Sequence, residues 1–227
     1  MNRFILRLLT IAGSALLLVN CTDNSPEGNS LPYLGNKHTE KVLKIDQNSL
    51  DSIYQMDTVY HKIAPFSFLN QDGKSITNKD MEGMVYVADF FFTSCPTICP
   101  IMKKEMFRVY EKFKEVDNFK ILSHSIDPTH DTVPLLKDYS QRLGVEDAST
   151  WHFLTGDQEK IFEIGQTSYL TTAMEDNNEP GGLLHSGAFV LVDQQGHIRG
   201  VYDGTKENQV NRLMADIPKL LSDKDEN

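Results

Sequence analysis

Cys95 and Cys99, separated by three residues in FFFTSCPTICPIM, are the side chains of this chain best suited to chemistry. An apolar run precedes the pair and an amphipathic run follows it, so both sulfurs sit where a helix begins. The positive end of a helix favours thiolate over thiol. Pro100 disfavours a helical conformation at Cys99 and leaves Pro96, Thr97 and Ile98 as a loop or distorted turn. Side chains four apart on a regular helix hold their Cβ atoms about 5–6 Å apart, whereas a disulfide needs about 3.5–4.5 Å. A disulfide is feasible only with local adjustment. Two thiolates straddling a metal ion fit the spacing more easily, and metal binding ranks above a permanent structural bridge.

Two thiolates are too few ligands for most metal sites, so a third is expected among the seven histidines. His38 lies in the polar stretch before the domain and His61 precedes the domain's first expected strand, His124 and His152 lie in apolar stretches that read as core, and His197 falls in a solvated hairpin. His185 follows a glycine-rich loop and directly precedes a buried strand, a position that can lie beside the cysteine loop. It is favoured over His130 and His124, which stay open as alternatives. Two thiolates and one imidazole make a soft donor set suited to copper(I). Zinc takes the same ligands but usually completes a tetrahedron; no fourth ligand is evident.

The pair needs a strand in front and a helix behind. Residues 84–92 form a continuous apolar run that reads as a buried central strand. Met102, Met106, Val109, Tyr110 and Phe113 recur at helical spacing, and Pro100 suits the first turn of that helix. Upstream, Phe66 and Phe68 alternate before an Asp72-Gly73 turn, which predicts a hairpin. Downstream come a strand at 119–126, a helix capped by Asp131 and stopped by Gly144, a strand at 151–154, and a helix from Asp157 to about Tyr169. A polar loop at 171–184 leads to a hairpin of 188–192 and 197–202. A last helix from Thr205 should be kinked or shortened at Pro218. Strands alternating with helices imply an α/β fold with a central mixed sheet flanked by helices. With the cysteines at the carboxyl end of a central strand, this is a thioredoxin-like fold carrying an extra N-terminal β-hairpin. Sites in such sheets favour that end.

A net charge of −10 argues against nucleic acid as a partner, because phosphate binding needs a concentrated basic surface. Lys103, Lys104, Arg108 and Lys112 are interleaved with Glu105 and Glu111 and read as a solvated helix face. Residues 1–20 carry Arg3 and Arg7 before an apolar core and read as a secretory signal of the lipoprotein type. The LVNC that closes it resembles a bacterial lipobox, which makes Cys21 the expected lipidated first residue. Residues 21–58 are then a polar, lipid-anchored tether in which LPYLG at 31–35 could dock, and 59–223 are the domain. The domain is expected to face the periplasm of a bacterial envelope, leaving Cys95 and Cys99 as its only cysteines.

SCPTICP, then SIDPTHDT, then LLHSGAFVLVDQQG closely resemble the Sco/SenC family of copper-binding assembly factors for cytochrome c oxidase, over roughly 60–220. The resemblance implies copper, Cu(I) or Cu(II), held by Cys95, Cys99 and His185. It also implies partners: the copper-centre subunit of the oxidase, a copper donor protein, a thiol reductant and the membrane. The family's DPxxDT segment falls on Asp127, Pro128, Asp131 and Thr132, with His130 where many relatives carry arginine. Two functions follow, a metallochaperone and a thiol–disulfide oxidoreductase in which Cys95 attacks and Cys99 resolves. A peroxiredoxin-type peroxidase is disfavoured, because its supporting Thr or Ser and Pro are replaced by Phe92 and Ala88. A purely structural bridge leaves the position of the pair unexplained.

Overall fold

The apolar run before the cysteines forms β5 (Val85–Phe91), buried at every residue. The computed structural model describes residues 30–45, 52–145, 147–176 and 182–222. Cys21 and the expected signal segment lie outside them. Burial on both faces explains why β5 does not alternate: it is the middle strand of a five-stranded sheet. It pairs in parallel with β6 (Phe119–Ser125), which pairs in parallel with β7 (Trp151–Leu154). On its other side it runs antiparallel to β10 (Ala188–Val192), which forms a hairpin with the edge strand β11 (Ile198–Asp203). The sheet is mixed, as expected, and α1 (Cys99–Phe113), α2 (Val133–Leu143), α3 (Gln158–Glu163) and α4 (Glu207–Ser222) connect and flank it.

The helices follow their apolar faces. α1 buries Met102, Met106, Val109 and Phe113. α4 buries Val210, Leu213, Ile217 and Leu220. Gly144 ends α2 at φ 90°, a left-handed conformation that glycine adopts without a Cβ penalty. Asp157 caps α3, its side chain accepting from Lys160 N–H. Residues 164–168 then form a π turn.

Four expectations change. Pro218 does not shorten α4, which continues to Ser222. The proline leaves the Met214 carbonyl without its helical donor, and Lys112 Nζ on α1 reaches that oxygen at 3.3 Å. Asp131 is not the cap of α2; Thr132 occupies that position, and the Asp131 carboxylate turns inward. Cys99 opens α1 despite preceding a proline, because the apolar face it leads outweighs a local backbone preference. The stretch 171–184 is not all loop. β8 (Ala173–Glu175) pairs antiparallel with β9 (Leu183–His185), which places His185 on a strand.

The stretch read as a tether also holds structure. β1 (Lys37–Ile45) and β2 (Ser52–Tyr60) pair over nine residues each in an antiparallel ribbon. None of its described side chains is buried, so no core-facing apolar stripe marked it. The hairpin expected around Asp72-Gly73 is present as β3 (Ser67–Leu69) and β4 (Ser75–Thr77). LPYLG docks on the domain: Leu34 N–H donates to Ile198 O at 2.8 Å, and Arg199 donates to the Leu31 and Pro32 carbonyls. Arg199 is itself buried, paired with Asp193 at 2.9 Å. Among the described residues no helix is long and apolar enough to cross a membrane.

Candidate metal centre

Three elements converge beyond the carboxyl end of β5. The loop after β5 carries Cys95, the first residue of α1 is Cys99, and β9 delivers His185. Cys95 Sγ, Cys99 Sγ and a ring nitrogen of His185 all lie within 4.8 Å of one another. Ligand bonds of about 2.0–2.3 Å would hold such donors roughly 3.5–4 Å apart around a shared ion, so the fit needs only small shifts. Both cysteines are free. Among the described residues, no other group of three His, Cys, Asp or Glu side chains is close enough to hold a metal.

The imidazole is oriented for ligation. His185 Nδ1 lies 3.2 Å from Ser186 O, which assigns the proton to Nδ1 and leaves the lone pair on Nε2. Nε2 faces Cys99 Sγ at 3.1 Å. The ring edge packs against Phe92 at 5.9 Å between centroids. Burial keeps the ring neutral by lowering its pKa, against the opposing hydrogen bond to Ser186. A neutral imidazole with an inward lone pair is the ligating form.

The two thiols differ. Burial opposes ionisation of Cys95, but hydrogen bonds from the Thr97 and Cys99 backbones, the Thr97 hydroxyl and the Cys99 thiol outweigh it, and the pKa falls below the ordinary cysteine value. Burial instead pushes the Cys99 thiol well up. Without metal, Cys99 is therefore a thiol whose one proton is shared between Cys95 Sγ and His185 Nε2, while Cys95 is the readier thiolate.

Asp131 holds the loop in place. Its fully buried carboxylate accepts from Thr93 N–H at 3.0 Å, Thr93 Oγ1 at 2.5 Å, Ser125 Oγ at 2.6 Å and His130 Nδ1 at 3.0 Å. Thr93 stands two residues before Cys95, so this acid ties the cysteine loop to the end of β6. His130 is thus at the rim of the site and not among the donors. His124 is in the core, stacked on Phe90 at 5.1 Å, with no partner for either ring nitrogen and a pKa lowered by burial to about 3. His152 is buried near Asn70 Nδ2, at 3.4 Å. His61 binds Ser168 O and His197 binds the His61 carbonyl; exposed His38 lies on β1.

Asp89 was hidden in the sequence by its apolar neighbours, although it is the single acid within the run 84–92. It is buried on β5 and accepts from Ser123 Oγ at 2.5 Å, and Ser123 Oγ accepts from Trp151 Nε1 at 2.9 Å. Asp89 and Cys99 line the same small cavity of about 10 Å³, with Met102, Lys103 and Tyr139. Burial raises its pKa to about 7, against the Ser123 hydrogen bond. The unfolded chain releases this proton near 3.9, so between about pH 4 and 7 the folded state holds more protons and stability falls as pH rises. Three units correspond to at most about 4 kcal/mol. Asp89→Asn is expected to raise the melting temperature at pH 8 and change it little at pH 4. Equal shifts at both pH values in thermal unfolding would contradict this. A groove of about 520 Å³ between residues 64–68 and 160–168 contains none of the three donors.

The family model described as SCO1/SenC matches residues 55–222. A SCO1/SenC family lipoprotein from Bacillus anthracis is 33% identical, with a TM-score of 0.65 over 71% of this chain and 96% of that one. BsSco, described as a member of the Sco family of cytochrome c oxidase assembly proteins with a disulfide switch, is 31% identical, with a TM-score of 0.64 over 72% and 95%. Copper-bound ScoI from Bradyrhizobium japonicum is 25% identical, with a TM-score of 0.57 over 69% and 98%.

Proposed function

The chain belongs to the SCO1/SenC family, and from that premise we propose that it is an extracytoplasmic copper metallochaperone assisting assembly of the dinuclear copper centre of cytochrome c oxidase. The observation that carries this reading is the convergence of Cys95, Cys99 and His185 donors within 4.8 Å. Copper in a relative and oxidase assembly in another support it. Residues 1–20 act as the signal, Cys21 takes the lipid, and the domain works at the periplasmic face of the envelope; a lipoprotein relative supports the anchor.

Copper(I) is the cargo, received from a donor protein and held by the Cys95 and Cys99 thiolates and His185 Nε2. Delivery is ligand exchange with no change of oxidation state. A cysteine of the oxidase's copper-centre subunit replaces one ligand at a time, and Cys99 regains its proton and its contact with His185 as the metal leaves.

The asymmetry of the thiols favours a second activity at the same site. The Cys95 thiolate attacks a disulfide between the oxidase's copper-site cysteines, releasing one thiolate and forming a mixed disulfide. Cys99 gives up its proton, attacks Cys95 Sγ and releases the second thiolate. Two electrons pass to the partner, which gains two protons, and a thiol reductant restores the Cys95–Cys99 bridge to thiols.

Complementation separates the two. In cells lacking this chain, His185→Ala and Cys95→Ser are expected to leave the oxidase without its dinuclear copper absorption, and added copper should rescue the His185→Ala cells. Rescue by a membrane-permeant thiol reductant alone would assign the primary role to reduction. Full oxidase copper with both variants would overturn the proposal.

A further inference from the structure

The β1–β2 ribbon has two unlike faces. Cross-strand partners share a face, so Lys37 and Tyr60, Thr39 and Thr58, Lys41 and Met56, and Leu43 and Tyr54 lie together. Lys41 Nζ sits 4.2 Å over the Tyr54 ring, which confirms that side. Leu43, Tyr54 and Met56 are 54%, 65% and 61% exposed, a degree of apolar exposure that usually marks an interaction surface. The described side chains of this face include two lysines and no carboxylate. The opposite face carries Glu40 paired with Asp57. In a chain of net charge −10, an acid-free strip of lysines, leucine, tyrosine and methionine stands out.

The ribbon is fastened where the chain enters the domain. Tyr60 at its base stacks on Tyr33 at 4.2 Å, and the Arg199 guanidinium lies over Tyr33 at 4.1 Å. Because Leu31 is already held by Arg199, only residues 22–30 separate the docked segment from Cys21. Nine residues reach at most about 30 Å, and a nine-residue strand is about as long. The length of the ribbon thus matches the greatest reach of the tether. β1 lies before the family match, which begins at residue 55 within β2.

We propose that the Leu43–Tyr54–Met56 face of the ribbon lies on the phospholipid bilayer that anchors the chain, a reading that rests on the lipid at Cys21 proposed above. Leucine, methionine and the tyrosine ring enter the headgroup region, while Lys37 and Lys41 keep their ammonium groups at the phosphates. The ribbon then sets the orientation of the domain on the membrane, where a lipid alone would leave it free to tumble.

The test uses the full lipidated chain in vesicles of phosphatidylethanolamine and phosphatidylglycerol with brominated acyl chains. Tyr54→Trp places a reporter on the proposed face and Gln55→Trp one on the opposite face; Trp151 is buried and gives a constant background. Quenching of the reporter at position 54 at least twofold above that at position 55, reduced by Lys37→Glu with Lys41→Glu, is the expected result. Equal quenching at both positions with the lipid mass present on Cys21 overturns the docking and spares the anchor. A lipid-free Cys21 overturns both. An emission shift at position 54 that follows protein concentration instead of lipid marks a second copy as the occupant and overturns the bilayer.

Discussion

Cys99→Ser is expected to lower copper(I) affinity by at least about a hundredfold while the protein remains folded. Cys99 is the inner donor, buried at the start of α1 and 3.1 Å from His185 Nε2. A serine hydroxyl fills nearly the same volume and can make the same hydrogen bond to the imidazole, so the sheet and α1 have no reason to move. What disappears is a soft thiolate that copper(I) prefers to oxygen. The variant also cannot close a disulfide, so both proposed activities fail together. Competition against a copper(I) chelator, with the far-ultraviolet spectrum as the fold control, measures the effect. Affinity within a few-fold of the parent would remove Cys99 from the ligand set.

Asp131→Ala should cost about 2–4 kcal/mol of stability, because its carboxylate is the acceptor for several buried donors. The lost carboxylate leaves Thr93 N–H and Ser125 Oγ without their shared acceptor, and unsatisfied buried donors cost about 1–3 kcal/mol each. Asp131→Asn should lose roughly half as much, since an amide oxygen replaces only one acceptor and its NH₂ confronts another donor. The loop that carries Cys95 loses its tie to β6, so copper affinity should fall about tenfold in Asp131→Ala even where it remains folded. Denaturant unfolding and copper competition on both variants check this. A loss below about 1 kcal/mol for Asp131→Ala would show that the network does not hold the loop.

Both residues bear on how far the chain could be read without coordinates. The core elements were readable because their signals are local: β5 is a run of buried residues, α1 repeats at helical spacing, and Gly144 and Asp157 punctuate helices. His185 emerged from its position before a buried strand. Asp131 misled because a carboxylate beside a helix start usually caps it, and nothing in the local sequence shows that Thr93, remote in the chain, competes for its oxygens. Asp89 escaped notice because a periodicity pattern averages over a single acid. The β1–β2 ribbon was invisible for a different reason. None of its described side chains is buried, so the alternation that identifies a half-buried strand was never required of its sequence.

The central claim is that Cys95, Cys99 and His185 hold one copper(I) ion. X-ray absorption at the copper edge, on reduced protein loaded with one equivalent of copper(I), tests it most directly. The expected spectrum contains two sulfur scatterers and one imidazole nitrogen, and His185→Ala loses the imidazole contribution while keeping both sulfurs. An imidazole signal that persists in His185→Ala, or a parent site with only one sulfur, would contradict the assignment.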